Sequence, residues 1–136
     1  MLKKIIITSF LFITLVLITK ASFSQTLYFC EGYTNEGYPK GESSTFYIPS
    51  GGGWFYFLVR LPYEVQCYSV KYEIYRVDTY DYSESYSTTI YHDDLSLNWV
   101  WFCKKVTFYR PGLYNVYVVD CNGYTLTSRY VTVDWK

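Results

Sequence analysis

Four cysteines carry the most definite chemistry in this chain of 136 residues. Cys30, Cys67, Cys103 and Cys121 are 37, 36 and 18 residues apart, so the close C-x-x-C pairs of a zinc site are missing. An even number of cysteines in an oxidising compartment predicts disulfide bonds. A buried free thiol is the alternative for each of them.

His92 is the only histidine, and it stands beside Asp93 and Asp94. This combination could bind a metal or transfer a proton. Neighbouring residues of a strand point to opposite faces, however, and a metal needs three or four converging ligands. We therefore interpret His92 as a solvated loop residue and predict neither a metal site nor a cofactor.

The densest acidic segment lies between Asp78 and Asp94 and could offer oxygen ligands to Ca²⁺. It has neither the spacing of an EF-hand loop nor the repeated acidic-glycine motif of a calcium-binding β-roll. A charged loop at the edge of a sheet is the preferred interpretation, and calcium binding stays open.

Catalytic signatures are missing from the sequence. No G-x-S-x-G motif occurs, and His92 is the only base available to a serine or cysteine nucleophile. No particular pair of carboxylates is marked out for glycoside hydrolysis. We predict that the protein is not an enzyme.

Tyrosine is the residue type that most suggests a function, and all 18 tyrosines follow residue 24. In a loop, tyrosine gives a large contact area at a low entropic cost, as in a protein-binding paratope, and its flat ring also stacks on sugars. The alternative is that tyrosines cover the outer face of a sheet, where they form cross-strand pairs. The candidate binding residues, from the segments Gly32 to Ser44 and Asp78 to Asp94, are Tyr33, Tyr38, Tyr80, Tyr82, Tyr86 and Tyr91.

The first 24 residues have the features of an export signal. Two lysines precede an apolar run from Ile5 to Ile18, and small residues follow at Ala21 to Ser24, where we expect cleavage. The run of 14 residues is shorter than the roughly 17 to 25 that a membrane-spanning helix needs, so a retained anchor is the weaker alternative. The sequence predicts a secreted or periplasmic protein without a stable membrane anchor after cleavage.

Residues 25–136 are enough for one domain with a single core. They carry nine basic and twelve acidic side chains, a net charge of −3. Nucleic acid and anionic membranes both require a concentrated basic surface, so neither is expected as a partner.

Apolar residues alternate with a period of two along most of this domain, and Pro, Gly, Asn and Ser interrupt the pattern at short intervals. This pattern predicts an all-β fold. Residues 32–44 are polar and rich in glycine, so we expect a long surface loop there. Residues 95–108 are expected to form one strand, with a bulge or strand end at Lys104 and Lys105. The other expected strands are residues 26–31, 45–48, 54–61, 68–78 and, as a short edge strand, 86–91.

The clearest local pattern is a β-hairpin between residues 108 and 133. Pro111 and Gly112 interrupt the chain before an apolar strand. Asn122 and Gly123 tolerate the two positive φ angles of a type I′ turn, and a strand rich in β-branched residues follows.

Within this hairpin the sequence has Gly112-x-Tyr114-x-Val116-x-Val118, followed by Asp120-x-x-Gly123. It resembles the last two strands of the immunoglobulin-like and fibronectin-type-III-like modules of bacterial surface and secreted proteins. The resemblance implies a two-sheet antiparallel Greek-key sandwich of seven to eight strands, in which the Tyr114 hydroxyl closes the preceding turn. It implies nothing about activity.

In such a sandwich the strand that follows Cys67 and the strand that precedes Cys121 are antiparallel neighbours. This topology implies a Cys67–Cys121 disulfide at one end of the sandwich. By elimination it leaves a Cys30–Cys103 pair, unless a third strand separates the strands that carry these two cysteines.

The combined expectation is an exported, non-catalytic binding module that uses tyrosine-rich loops to bind a protein or a glycan at the cell surface. The alternative is a structural or assembly module that associates with copies of itself through its edge strands. Neither the oligomeric state nor the identity of the ligand follows from the sequence.

Overall fold

A computed structural model describes residues 24–136, so residues 1–23 of the expected export signal lie outside the described residues. The described part is all-β, as expected, and contains no helix that could cross a membrane. It has ten strands instead of seven or eight, because short pieces pair where a loop was expected. The strands are β1 (Thr26–Cys30), β2 (Gly32–Tyr33), β3 (Pro39–Lys40), β4 (Thr45–Ile48), β5 (Gly53–Arg60), β6 (Val70–Val77), β7 (Glu84–His92), β8 (Trp101–Phe108), β9 (Gly112–Val119) and β10 (Thr125–Trp135).

These strands form three sheets where two were expected. A three-stranded sheet has the order β1-β5-β8, a five-stranded sheet has the order β4-β10-β9-β6-β7, and β2 pairs with β3 alone. All neighbours are antiparallel except β4 and β10, which are parallel. In this parallel pair β4 lies beside β10, the last strand of the chain, and runs in the same direction. The Pro49–Gly52 turn then takes the chain to β5 of the three-stranded sheet.

The two larger sheets pack against each other through the inward side chains of β5. Phe55, Phe57 and Val59 are fully buried, as the alternation of apolar residues predicts. Phe57 packs edge-on against Tyr72 of β6 at 5.3 Å between ring centroids, and Phe55 stacks on Phe46 of β4 at 4.1 Å. The core is therefore one aromatic cluster shared by both sheets.

The β2–β3 hairpin covers part of the outer face of the three-stranded sheet. Its Tyr33 ring packs edge-on against Tyr56 at 5.3 Å, and the Arg60 guanidinium donates to the Gly37 carbonyl oxygen at 2.6 Å. Leu58, which alternation places on this outer face, is completely buried. The expected surface loop is thus a short hairpin that packs on this sheet.

β8 begins at Trp101 and runs in register beside β5, without a bulge at Lys104 or Lys105. Residues 95–100 instead form an irregular segment that is hydrogen-bonded to residues 61–66. The apolar alternation of this segment resembles that of a strand, but its partner contains Pro62 and forms no strand with which it could pair.

β9 and β10 form the expected hairpin with a different turn. Among the turn residues 121–124 only Gly123 has a positive φ, of 86°, so the prediction of a type I′ turn is wrong. The Asp120 amide donates to the Tyr124 carbonyl oxygen at 2.9 Å, which encloses three residues. Oδ1 of Asp120 accepts the amides of Asn122 and Tyr124, each at 2.9 Å, and this side chain fixes the turn.

Cys67 and Cys121 form the expected disulfide, with 5.7 Å between their Cα atoms. The reason is the expected one, because β6 and β9 are antiparallel neighbours and the two cysteines lie just beyond their ends. The bridge ties the irregular segment before β6 to the hairpin turn after β9.

The expected Cys30–Cys103 pair is not formed, and both thiols are free. Strand β5 lies between β1 and β8, with Tyr56 level with Cys30 and Leu58 level with Cys103. Two strand spacings amount to about 10 Å, whereas a disulfide needs Cα atoms within roughly 7 Å. The intervening strand therefore prevents the bond.

Alkylation in denaturant without a reductant should modify two cysteines per chain, Cys30 and Cys103. In the native protein both should react slowly, since burial raises the pKa of Cys30 to about 11 and also raises that of Cys103, which leaves little thiolate. Mass spectrometry of the non-reduced digest should contain a Cys67–Cys121 peptide pair. A Cys30–Cys103 peptide pair would contradict this arrangement of strands.

The double variant Cys67→Ala/Cys121→Ala should be less stable by about 4 kcal/mol, because the bridge closes a loop with a sequence separation of 54. Urea unfolding measures the loss. Cys103→Ala is the matched control, since it removes a half-buried cysteine that forms no bridge. Equal losses in the two proteins would show that the bridge does not constrain the chain.

Candidate binding surfaces

The structure does not bring the six candidate tyrosines together. Two lie in the hairpin above the three-stranded sheet, two lie in the turn between β6 and β7, and two lie on the edge strand β7. In this order they are Tyr33 and Tyr38, Tyr80 and Tyr82, and Tyr86 and Tyr91. The first pair is on the opposite side of the molecule from the last, so no single surface contains all six.

The outer face of the five-stranded sheet carries a larger group of tyrosines. One row of directly opposed residues runs across four strands, from Tyr86 through Tyr75 and Asn115 to Tyr130. Tyr75 packs edge-to-face against Tyr86 at 5.8 Å and against Tyr117 at 5.4 Å. We call this group the tyrosine face, and its members are Tyr47, Tyr75, Tyr86, Tyr91, Tyr117 and Tyr130.

A polar network orders the centre of the tyrosine face. The Tyr117 hydroxyl donates to the Glu84 carboxylate at 2.8 Å and accepts a hydrogen bond from Nδ2 of Asn115 at 3.0 Å. Burial, together with the Glu84 carboxylate, raises the pKa of Tyr117 to about 12, so its proton stays in place at neutral pH. Tyr117 is therefore held in one position on the sheet.

Asn115 is the one buried polar side chain of the described residues, and its Oδ1 has no hydrogen-bond partner among them. Rotating the amide group by 180° would leave the nitrogen unpartnered instead, because the Tyr117 hydroxyl is its one partner. A buried polar atom without a partner costs about 1 to 3 kcal/mol. The centre of the tyrosine face thus keeps an unused hydrogen-bonding group.

Sequence reasoning missed four members of the tyrosine face, namely Tyr47, Tyr75, Tyr117 and Tyr130. It searched irregular segments, whereas these residues lie in regular strands. A signal for two of them was available. Tyr75 and Tyr117 stand at alternating positions of β6 and β9 that face away from the core.

The acidic turn between β6 and β7 uses its carboxylates to hold its own backbone. Oδ1 of Asp78 accepts the Tyr80 amide at 2.8 Å, and Oδ1 of Asp81 accepts both the amide and the hydroxyl of Ser83. The Ser83 amide lowers the pKa of Asp81 by stabilising its charge. Between residues 24 and 136 no three His, Cys, Asp or Glu side chains are placed to hold a metal ion.

His92 is not the solvated loop residue that was expected. It ends strand β7, where its Nδ1 lies 3.1 Å from the Tyr72 hydroxyl and its ring contacts Phe102 edge-on at 5.6 Å. Burial, followed by the Lys104 ammonium, lowers the pKa of His92 to about 4. The imidazole is therefore neutral at neutral pH, and its other nitrogen carries the proton if Tyr72 donates to Nδ1.

A second surface feature is a cleft of about 480 Å³ at one end of β8. Its walls are largely aromatic, and sequence reasoning missed it because they come from three separate segments. The one available signal was the pair of tryptophans two residues apart. We call it the tryptophan cleft and define it by Tyr33, His92, Asn98, Trp99, Trp101 and Cys103.

The fold should lose stability in mild acid through His92. The pKa of His92 is lower in the folded protein than its ordinary value of 6.5, so the unfolded chain takes up the proton first. The loss should accumulate as the pH falls from about 6.5 to about 4. His92→Gln cannot titrate, so its melting temperature should fall less than that of the wild type between about pH 7 and about pH 4.5. Equal falls in the two proteins would show that His92 titrates normally in the folded state.

The tyrosine face and the tryptophan cleft are thus two separate candidate sites, the first on the outer face of the five-stranded sheet and the second at the β8 edge of the three-stranded sheet. Comparison of the sequence with protein-family models and with curated proteins found no match.

Proposed function

We propose that this protein is an exported, non-catalytic binding module and that its tyrosine face binds another protein at the cell surface. The observation that carries the proposal is the fixed, edge-to-face order of Tyr75, Tyr86 and Tyr117 on an open sheet face. Rings that are already ordered lose little entropy on binding. On the three-stranded sheet, by contrast, the β2–β3 hairpin covers part of the outer face.

A protein fits the tyrosine face better than a glycan does. The ring of Tyr75 stands at 78° to that of Tyr86 and at 84° to that of Tyr117, so the three do not form a flat platform on which a sugar could stack. Lys71 and Glu73, whose Nζ and Oε1 atoms lie 3.2 Å apart, add a positive and a negative charge to this face. Rigid aromatic rings among mixed polar groups are typical of protein-binding surfaces.

The proposed scaffold is an immunoglobulin-like sandwich. Its support is the order of the two larger sheets, together with the parallel pairing of an early strand, β4, with the last strand. The Tyr114 hydroxyl also donates to the Arg110 carbonyl oxygen at 2.8 Å, closing the turn before β9. In sandwiches of this kind a tyrosine at the start of the penultimate strand makes that bond.

The proposal that the module is non-catalytic is supported by the state of Cys103 and His92, which line the same cleft. A catalytic thiolate–imidazolium pair requires a cysteine with a lowered pKa and a histidine with a raised one. Here burial raises the pKa of Cys103 and lowers that of His92. Both groups are neutral at neutral pH, which is the resting state of structural side chains.

Export is supported by the Cys67–Cys121 disulfide, since such bonds persist mainly in oxidising compartments. The features of residues 1–24 agree with this location. The free thiols are compatible with it, because burial and the intervening strand β5 keep them apart and protonated.

Self-assembly is the second candidate function, and one feature favours it. Among the strands of residues 24–136, β7 pairs with β6 alone, so one of its edges has no partner strand there, and a groove of about 400 Å³ lined by Ile74, Ile90 and Val106 opens beside it. A free edge next to an apolar groove can accept an added strand. The register shift after Ile74 disturbs this edge, as bulges in natural edge strands do. Assembly therefore ranks below binding.

The triple variant Tyr86→Ala/Tyr91→Ala/Tyr130→Ala should bind the protein ligand much more weakly. The ligand is first captured from the native cell envelope on the immobilised mature protein, identified by mass spectrometry and purified. Titration calorimetry should then show an affinity about 100-fold weaker for the triple variant, since interface tyrosines contribute strongly. The control, Tyr109→Ala/Tyr124→Ala, removes two turn tyrosines of 67% and 71% exposure and should keep the wild-type affinity.

Three outcomes would contradict this assignment. An equal loss in the control would remove the link to the tyrosine face. A glycan array whose hits disappear in the triple variant, with no protein captured, would make the ligand a glycan. Stable oligomers in light scattering, with neither ligand found, would favour assembly through β7.

A further inference from the structure

The tryptophan cleft lies apart from the tyrosine face, at the edge of the opposite sheet. Its volume of about 480 Å³ falls within the range of small-molecule sites in proteins. Trp99 is 41% exposed, so part of its ring is open to contact from the cleft. The cleft therefore offers an exposed aromatic surface that neither the core nor the proposed protein interface uses.

The walls of the cleft are held in place before any ligand arrives. The Trp99 and Val100 carbonyl oxygens accept the Val65 and Leu61 amides at 2.8 and 2.7 Å, which fixes the irregular segment before β8. The Trp101 ring lies against Gly37, where an added Cβ would come within 2.1 Å of a ring atom. Only glycine allows this close approach, so the hairpin clamps the ring from one side.

Two further lining residues, His92 and Tyr33, are also constrained. His92 is fixed by the Tyr72 hydroxyl and by its contact with Phe102. The Tyr33 ring lies 6.1 Å from Trp101, and its hydroxyl interacts with the Cys103 thiol, which raises the pKa of Tyr33. A site with rigid walls is preorganised, so a ligand meets little entropic cost from the protein.

The polar groups of the cleft are all uncharged. They are the Asn98 amide, the His92 imidazole, the Tyr33 hydroxyl and the Cys103 thiol, and between residues 24 and 136 no carboxylate, ammonium or guanidinium group lines the cleft. The nearest charges are those of Lys104 and Asp93, which act on His92 from outside the lining and have opposite signs. A charged ligand would therefore lose its hydration without a direct ion pair in the lining, which is costly. A ligand that matches this lining has an apolar face, which packs on the indole rings. It also has hydroxyl groups, which form hydrogen bonds with the Asn98 amide and the His92 imidazole.

We propose that the tryptophan cleft binds a neutral pyranose sugar. One face of the sugar ring carries C–H groups that pack on Trp99 and Trp101, and its hydroxyls exchange hydrogen bonds with Asn98 and with the free nitrogen of His92. The same chemistry serves a free sugar or the end of a glycan chain. This site is independent of the tyrosine face and holds whether or not that face binds a protein.

The test titrates the mature protein with the methyl glycosides of glucose, galactose, mannose and N-acetylglucosamine. Tryptophan fluorescence and saturation-transfer NMR report binding. At least one neutral sugar should bind with a Kd of about 1 mM. Trp99→Ala should weaken it about 10-fold through the loss of one stacking ring. Trp54→Ala is the matched control, because Trp54 is 51% exposed on the same sheet but outside the cleft, and it should change the Kd by less than about 2-fold.

A second variant, His92→Gln, keeps the test decisive if Trp99→Ala unfolds, and it should also weaken sugar binding. The tyrosine-face triple variant should keep the full sugar affinity, which separates this site from the proposed protein interface. Three results would overturn the proposal. They are no saturable response to any of the four sugars, an equal loss of affinity in Trp54→Ala, and tighter binding of glucuronate than of glucose.

Discussion

The aromatic contact between the two larger sheets is the interaction on which the rest of the structure depends. Phe55 and Phe57 of β5 reach Phe46 and Tyr72, which belong to opposite parts of the five-stranded sheet. Because β5 is the central strand of its own sheet, these contacts fix the position of both sheets at once. Aromatic rings bury a large area for each residue ordered, so a domain of this size can hold one stable core. The outer faces are then free to differ.

The outer faces of the three-stranded and the five-stranded sheets differ in how far they are exposed to water. On the three-stranded sheet the outward Leu58 is buried, and the β2–β3 hairpin packs on Tyr56 and places Tyr33 beside Trp101, where they form part of the tryptophan cleft. On the five-stranded sheet the tyrosines remain in water, where their hydroxyl groups keep hydrogen-bonding partners such as Glu84. The difference follows from side-chain chemistry, because leucine at an outward position needs a cover and tyrosine does not.

Local patterns predicted most strands but failed where the partner of a segment decided its form. The alternation in β5 and β6 placed the core residues correctly, since the period of two is a property of each strand alone. Residues 95–100 show the same alternation and form no strand, because residues 61–66 offer them only irregular hydrogen bonds. The prediction of a type I′ turn at Asn122 and Gly123 was wrong for a related reason. The hydrogen bonds of the Asp120 side chain outweigh the local preference of Asn122 for positive φ.

The sequence by itself determined the all-β class and the faces of the central strands, because these follow from periodicity. The Cys67–Cys121 pair was expected from the strand arrangement that the resemblance of the last hairpin implies. Only the tertiary structure decided that β5 separates Cys30 from Cys103, and that tyrosines from three strands form one row with Asn115 of a fourth. The tryptophan cleft belongs to the second group as well. Its walls come from the hairpin, the end of β7 and the segment before β8, and their distances in space are set by the packing of the sheets. No local pattern contains that information, because each segment carries only its own share of the site.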